Sequence, residues 1–116
     1  MDFFTKLFTG VQVSDVSATE AQKKLAQKQK PILLDVRQPE EFQSGHIPGA
    51  KLIPLGELRS RMNELPKSQE ILVVCHSGNR SLSATRQLAS AGFNAVNLRG
   101  GMLAWSRARL PISKGK

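Results

Sequence analysis

The residue of this 116-residue chain best suited to covalent chemistry is its single cysteine, Cys75, which directly follows the apolar run 71–74. Six small or polar residues come next and lead into a helical pattern: His76, Ser77, Gly78, Asn79, Arg80 and Ser81. A tight loop between a strand and a helix can turn successive backbone amides inward, and the helix start adds unpaired N–H groups. Such surroundings stabilise a thiolate, the nucleophilic form of cysteine. The segment therefore predicts a reactive cysteine in an anion-binding loop, and the alternative is a buried structural cysteine.

The side chains of this loop have distinct expected roles. Gly78 supplies backbone freedom in mid-loop, and the small Ser77 and Asn79 suit a crowded turn. Arg80 carries a permanent charge that can either bind a sulfo or phosphate oxygen or pair with a carboxylate. The His76 ring is less suited to act as a base, because adjacent residues at a strand end usually point apart.

Short apolar runs, typical of strands, alternate along the chain with segments of helical periodicity, and this order indicates the fold. Strands are predicted at 11–13, 31–36, 50–53, 71–74 and 95–98. Helices are predicted at 17–29, 55–65, 81–91 and from 101 onward, with a short helical turn at 40–42. Ser17 and Glu20 match a capping box, and the last helix is expected to bury Leu103 and Trp105. This order predicts an α/β domain with a mainly parallel five-stranded sheet and helices on both faces.

Two chemistry-bearing residues fall at strand ends in this scheme. Asp35 closes the second apolar run, and Cys75 closes the fourth. Because ligands of parallel sheets bind at the carboxyl ends of the strands, both residues are expected at one functional edge. His46 lies between glycine-bounded turns and is interpreted as structural.

Composition and charge limit the classes of function. Hydrophobic residues make up 40% and charged residues 22% of the chain, which is typical of a single globular domain. The net charge of +8 favours anionic ligands. The chain has no Tyr and one Trp, so a stacking platform for single-stranded nucleic acid is hard to build. No nucleic-acid partner is expected.

The chain start and the cysteine count bear on location. Residues 1–10 include Phe3, Phe4, Leu7 and Phe8 but lack a signal-peptide pattern. They are expected to pack on the domain, and the alternative is a contact with a membrane or a partner. No run approaches about 20 apolar residues, so no integral membrane segment is expected. One cysteine excludes an internal disulfide and a multi-thiolate zinc site, and predicts a reducing compartment. The missing signal-peptide pattern predicts a cytoplasmic protein.

Four motifs together resemble the rhodanese-homology domain over residues 11–110. They are Asp35-Val36-Arg37 with Glu40-Glu41-Phe42, then Gly45-His46-Ile47-Pro48-Gly49-Ala50, then the Cys75 loop, and finally Gly100-Gly101-Met102 with Trp105. The resemblance implies a rhodanese-like three-layer domain at 11–110, between an N-terminal extension at 1–10 and a C-terminal tail at 111–116.

The resemblance also implies a chemistry. In that family the loop cysteine accepts sulfane sulfur from thiosulfate, a persulfide or a polysulfide, and passes it to cyanide or a thiol. Cys75 would be the persulfide carrier, and residues 76–81 would bind the donor through their amides. Asp35 and Arg37 would support the loop. No metal or organic cofactor is implied, and a protein donor or acceptor is an alternative to small molecules.

Loop length separates this activity from that of the phosphatases that share the fold. Those of the dual-specificity cell-cycle type have five residues between Cys and Arg, whereas Arg80 follows Cys75 after four. The shorter loop suits a sulfur atom. The main rival is a sulfur-relay or protein-binding module without turnover of its own.

Overall fold

A parallel sheet of five strands forms the centre of the domain. The computed structural model describes residues 13–116. Its strands are β1 (Ser14–Val16), β2 (Ile32–Asp35), β3 (Lys51–Leu52), β4 (Ile71–Val74) and β5 (Ala95–Leu98). Their order across the sheet is β1-β5-β4-β2-β3, and every paired neighbour is parallel. The predicted α/β architecture is therefore confirmed, with β4 as the central strand.

Helices cover both faces of this sheet. They are α1 (Ala18–Leu25), α2 (Pro39–Ser44), α3 (Leu58–Arg61), α4 (Asn79–Ser90) and α5 (Gly101–Arg107). Short 3₁₀ turns at Leu55–Glu57 and Met62–Glu64 flank α3. One hydrophobic cluster lies between the sheet and α3 with α4, and a second lies between the opposite face and α1 with α5. The result is the expected three-layer domain.

Strand β4 contributes to both clusters because successive side chains of a strand alternate between faces. Ile71 and Val73 pack on the α4 side, and Leu72 and Val74 pack on the α5 side. Cys75 continues the first series and belongs to the cluster under α4. This alternation determines on which side of the sheet the thiol lies.

Several predicted boundaries are wrong. The first strand of the described residues is β1 at Ser14–Val16; of the predicted strand 11–13, Val13 lies just before β1, and residues 11 and 12 lie outside the described residues. Helix α1 ends at Leu25 rather than near Gln29, because the exposed residues 27–30 add no buried contact and Pro31 disfavours a helical residue before it.

Two later helices also differ from the pattern. The periodic segment 55–65 is a succession of 3₁₀, α and 3₁₀ turns rather than one helix. Helix α4 begins at Asn79, two residues earlier than predicted, because Gly78 takes a φ of 107° and forms its N-terminal boundary. Leu103 was expected in the core but is 40% exposed, whereas Met102 and Trp105 of the same helix are buried.

The last residues return to the domain surface. The backbones of Ser113 and His46 exchange two hydrogen bonds of 2.8 Å, and Gly115 N–H donates to the Gln43 carbonyl. The Trp105 indole N–H donates to the Pro111 carbonyl oxygen at 2.7 Å. The predicted boundaries at 110 and 111 stay a prediction, while residues 113–115 are bonded to the end of α2. The expectations for residues 1–10 fall outside the described residues.

The capping box at α1 gives a test of the fold. The Ser17 hydroxyl accepts from the Glu20 amide, and the Glu20 carboxylate accepts from the Ser17 amide at 2.8 Å. We expect Ser17→Ala to lower the free energy of unfolding by about 1 kcal/mol and the Tm by a few degrees. Ser17→Asp keeps an acceptor at this position and should retain most of the stability. Equal losses in thermal denaturation of both variants would contradict the capping role.

Candidate active site

Cys75 lies at the carboxyl end of the central strand and is 1% exposed. The Gly78 amide donates a hydrogen bond to its Sγ at 3.1 Å. Gly78 can turn back in this way because its φ of 107° is accessible to glycine at little cost. The loop thus closes around the sulfur atom, and a backbone N–H group is directed at it.

The peptide groups of the loop are oriented from outside, by α5. The Met102 amide donates to the Cys75 carbonyl oxygen at 2.8 Å, and the Leu103 amide donates to that of His76 at 3.1 Å. In a trans peptide the carbonyl and the following N–H point in opposite directions. The amides of His76 and Ser77 therefore point away from α5.

The first turn of α4 adds further donors. Asn79, Arg80 and Ser81 occupy its first three positions, whose N–H groups have no acceptor within a helix. The first intrahelical bond runs from the Leu82 amide to the Gly78 carbonyl at 3.1 Å. The start of α4 thus presents backbone N–H groups without an intrahelical acceptor beside the Gly78 amide that binds Sγ, and such groups are typical of anion sites.

The close contact between the loop and α5 depends on Gly101. Its φ is +56°, and a Cβ at this position would overlap the Cys75 carbonyl oxygen and lie 2.7 Å from the His76 carbonyl oxygen. Only glycine lets the start of α5 approach near enough to bind both carbonyl groups. Gly101 belongs to the Gly100-Gly101-Met102 motif, and this close contact is the physical reason for a glycine there.

Arg80 is held in an ion pair by Glu41 of α2. Two hydrogen bonds of 2.7 and 2.8 Å join the guanidinium group to the carboxylate, and both side chains are about one-third exposed. The Arg80 bonds lower the pKa of Glu41 to about 2. The pKa of Arg80 is raised, chiefly by Glu41 and further by the charges of Cys75 and Asp35. Glu41 was not among the predicted site residues, although it lies in the motif at 40–42.

Asp35 and Arg37 form a buried ion pair at the end of β2. The Arg37 side chain binds both Asp35 oxygens, at 2.8–3.1 Å, and the Arg37 amide binds one of them. The same guanidinium group donates to the carbonyl oxygens of Glu41 and Gly45, which anchors α2. Contacts continue from α2 to the cysteine loop through the Glu41–Arg80 pair. The predicted supporting role stays a prediction, and this is the route by which it would act.

Asn97 of β5 is a site residue that sequence reasoning missed. The Ser81 hydroxyl donates to its side-chain oxygen and contacts the Gly78 carbonyl at 3.2 Å. Ser81 is fully buried, and Asn97 is 4% exposed. The available signal was a polar residue inside the apolar strand Ala95–Leu98. Asn97 thereby fixes the first turn of α4 to the sheet.

The remaining predicted residues differ in exposure, and we call the exposed side chains among residues 76–79 the mouth of the loop. The side chains of His76, Ser77 and Asn79 are exposed, and Gly78 is buried. His46 is buried, donates from Nδ1 to the Phe42 carbonyl at 2.8 Å and stacks on the Phe42 ring, in line with a structural role.

Among residues 13–116, no group of three or more His, Cys, Asp or Glu side chains is placed to hold a metal ion. No helix of the same residues is long and apolar enough to cross a membrane.

The fold and this loop define a class: a parallel α/β domain with a buried cysteine at the end of its central strand and a helix start beside it. Residues 17–108 match the description "Rhodanese-like domain". The chain belongs to the rhodanese-like domain family.

Relatives of similar length are named for sulfur transfer. The chain is 38% identical over 101 residues to a protein of Allochromatium vinosum named "Sulfurtransferase", covering 86% of this chain and 94% of the relative. It is 34% identical over 101 residues to "Putative sulfurtransferase YtwF" of Bacillus subtilis, covering 87% and 98%. These matches support a transferase role of the rhodanese type.

Solved structures agree on the fold. A rhodanese-related protein from Thermoplasma volcanium superposes with a TM-score of 0.81 at 31% identity, covering 86% of this chain and 97% of the other. A rhodanese-like domain protein from Staphylococcus aureus gives a TM-score of 0.77 at 35% identity, covering 80% and 91%.

Gly101→Ala tests the contact between the loop and α5. The added methyl group must displace the backbone at Cys75 and His76, so we expect a loss of about 2 kcal/mol or more in stability and a large loss of any Cys75-dependent activity. Gly56→Ala is the matched control, since a Cβ there meets nothing within 4 Å. Comparable thermal denaturation curves for the two variants would refute the proposed role of Gly101.

The Glu41–Arg80 pair predicts a pH dependence of stability. The pKa of Glu41 is lowered from 4.5 to about 2, so the stabilisation is complete above pH 4.5 and is lost as the pH falls towards 2. Allowing for solvent screening of this one-third-exposed pair, we expect Glu41→Gln to cost about 1 kcal/mol at neutral pH and little near pH 2. Glu40→Gln, on the exposed side of the same helix, should have no such effect. A pH-independent difference between Glu41→Gln and the wild type would contradict the prediction.

Proposed function

We propose that this chain is a sulfurtransferase that carries sulfane sulfur as a persulfide on Cys75. The donor is thiosulfate, a persulfide or a polysulfide, and the acceptor is cyanide or a thiol. The observation that carries the proposal is the hydrogen bond of 3.1 Å from the Gly78 amide to Sγ, in a loop whose carbonyl groups are bound on the outside by α5. The sulfurtransferase names of the relatives support the same chemistry.

In the first half-reaction the Cys75 thiolate attacks the outer sulfur of thiosulfate. An S–S bond forms between Sγ and that sulfur, the S–S bond of thiosulfate breaks, and its electron pair leaves with sulfite. The enzyme then holds a persulfide anion. The backbone amides of residues 76–81 stabilise this charge without a side-chain acid, which is the advantage of preorganised dipoles.

In the second half-reaction an acceptor takes the outer sulfur. Cyanide attacks it, a C–S bond forms, the S–S bond to Sγ breaks, and Cys75 returns as a thiolate with thiocyanate as product. The charges balance in both halves, and no external oxidant or reductant is consumed. This ping-pong course requires no metal and no organic cofactor.

We assign Arg80 a positioning role in this cycle. Glu41 binds both terminal nitrogens of its guanidinium group, so these nitrogens are not free for two-point binding of a sulfur donor. Its position at the second residue of α4 keeps a positive charge near Cys75, where the persulfide forms. Arg80→Lys would retain the charge but lose the bidentate geometry.

A sulfur-relay role is the second candidate. It is favoured by 40% identity over 95 residues to "Putative sulfur carrier protein YrkF" of Bacillus subtilis, covering 81% of this chain and 51% of that protein. A relay would transfer sulfur only when a protein partner is present. We further propose a reducing compartment, the cytoplasm, because the chemistry needs Cys75 as a free thiol.

The decisive experiment assays transfer from thiosulfate to cyanide in the wild type, Cys75→Ala and His76→Ala. We expect Cys75→Ala to fall to the protein-free background and to lose the added mass of one sulfur atom in intact mass spectrometry. His76→Ala keeps its backbone amide, so its kcat/KM should stay within about tenfold of the wild type. If the wild-type protein neither turns over thiosulfate nor gains a sulfur atom, the proposed enzymatic function is refuted. If His76→Ala loses as much kcat/KM as Cys75→Ala, catalysis by backbone amides alone is refuted.

A further inference from the structure

A groove that the proposed reaction does not use lies between α3 and α4. It encloses about 510 Å³ and is lined by Arg59, Met62, Arg86, Gln87, Ser90 and Ala91. Arg59 and Arg86 are exposed, whereas the aliphatic parts of Met62 and Ala91 pack against the hydrophobic cluster under α4. The groove thus combines two guanidinium groups with an apolar component.

Neither arginine has a carboxylate partner among residues 13–116. The ion pairs in this part of the chain all involve basic side chains other than Arg59 and Arg86. Their acidic members are Asp15, Asp35, Glu41, Glu57, Glu64 and Glu70. The groove lining itself contains no acidic residue. Arginine is the side chain best shaped for two-point binding of a carboxylate. The groove therefore has a positive charge that is complementary to acidic side chains of another molecule.

The groove is connected to the mouth of the cysteine loop along one stripe of α4. Asn79, Ser83, Arg86 and Ser90 recur at spacings of four, three and four residues, which places them on one side of the helix. Asn79 borders the loop, and Arg86 lies seven residues further, about 10 Å along the helix axis. An ordinary protein interface covers about 800 Å² on each partner, so one docked protein reaches both the groove and the loop.

We propose that this groove is the docking site for an acidic segment of a thiol protein that takes sulfur from Cys75. The proposal rests on the sulfurtransferase function and specifies its acceptor. Carboxylates of the segment bind Arg59 and Arg86, and an apolar side chain beside them contacts Met62 and Ala91. An extended chain spans the distance of about 10 Å back to the loop in three or four residues, which brings a cysteine of the segment to the persulfide.

The transfer step balances without a further reactant. The acceptor thiolate attacks the outer sulfur of the Cys75 persulfide, and a new S–S bond forms between them. The bond between Sγ and the outer sulfur breaks, and its electron pair stays on Sγ as the thiolate. The acceptor leaves as a persulfide.

An acidic polypeptide fits this groove better than a nucleic acid. Both are anionic, but single strands bind by stacking bases on aromatic side chains. The groove lining contains no aromatic residue. Its aliphatic groups suit leucine-like side chains instead.

The test uses a synthetic peptide with one cysteine and a nearby run of glutamates and leucines, and a matched peptide with glutamine in place of glutamate. Sulfur transfer from thiosulfate to each peptide is compared with transfer to cyanide. We expect the double variant Arg59→Gln/Arg86→Gln to lose at least about tenfold in kcat/KM for the acidic peptide and to keep its rate with cyanide. Lys28→Gln/Lys30→Gln removes the same charge outside the groove lining, next to the start of β2, and should behave as wild type.

Binding is measured separately, by fluorescence anisotropy of the acidic peptide with its cysteine blocked. This readout does not require sulfur chemistry, so failure of the docking proposal and failure of the transferase proposal are distinguishable. Equal losses in the two double variants would mean a general charge effect and would overturn the proposal. So would equal binding of the glutamine peptide, or competition by an oligothymidylate of matched charge as strong as that by the acidic peptide.

Discussion

The two hydrogen bonds from the start of α5 to the carbonyl oxygens of Cys75 and His76 are the constraint on which the cysteine loop depends. They settle the orientation of two peptide groups, and planarity then settles the direction of the following amides. The bonds are possible only because Gly101 has no Cβ, which would overlap the Cys75 carbonyl oxygen at this approach of the two backbones. The orientation of these peptide groups is therefore determined by a contact between residues 27 positions apart in sequence, and not by the loop residues alone.

A second set of contacts holds the loop from the opposite side. The buried Asp35–Arg37 pair fastens the backbone of α2, and Glu41 on that helix binds Arg80. Breaking one member of a buried ion pair generally costs about 3–5 kcal/mol, because the other charge is left in an apolar interior. Residues 113–115 bond to the end of α2 as well, so the chain terminus stabilises the element that carries Glu41. The loop thus has hydrogen-bonded contacts with both α5 and α2.

The sequence was sufficient for the fold and for the location of the thiol, because continuous apolar runs such as 71–74 require a sheet covered on both faces. The sequence was insufficient where tertiary contacts determine whether a side chain is buried or which residues meet at the site. Leu103 was assigned to the core, yet Met102 and Trp105, three positions apart, occupy the buried side of α5, and Leu103 is exposed beside it. Edge strand β1 contains Ser14 and Asp15, which hydrophobicity does not identify as a strand. Glu41 and Asn97 act across elements, and only their partners in space reveal them.

The depth of Cys75 also determines which oxidation products the protein can form. A disulfide requires two Cα atoms about 4.4–6.8 Å apart, and Cys75 is the single cysteine of the chain. Two folded copies would have to bring their Cys75 residues within that distance, but Cys75 is only 1% exposed. We therefore expect the folded domain to resist disulfide formation between two copies under oxidising conditions. This resistance would come from the depth of the thiol, without a second cysteine in the chain to reverse the bond.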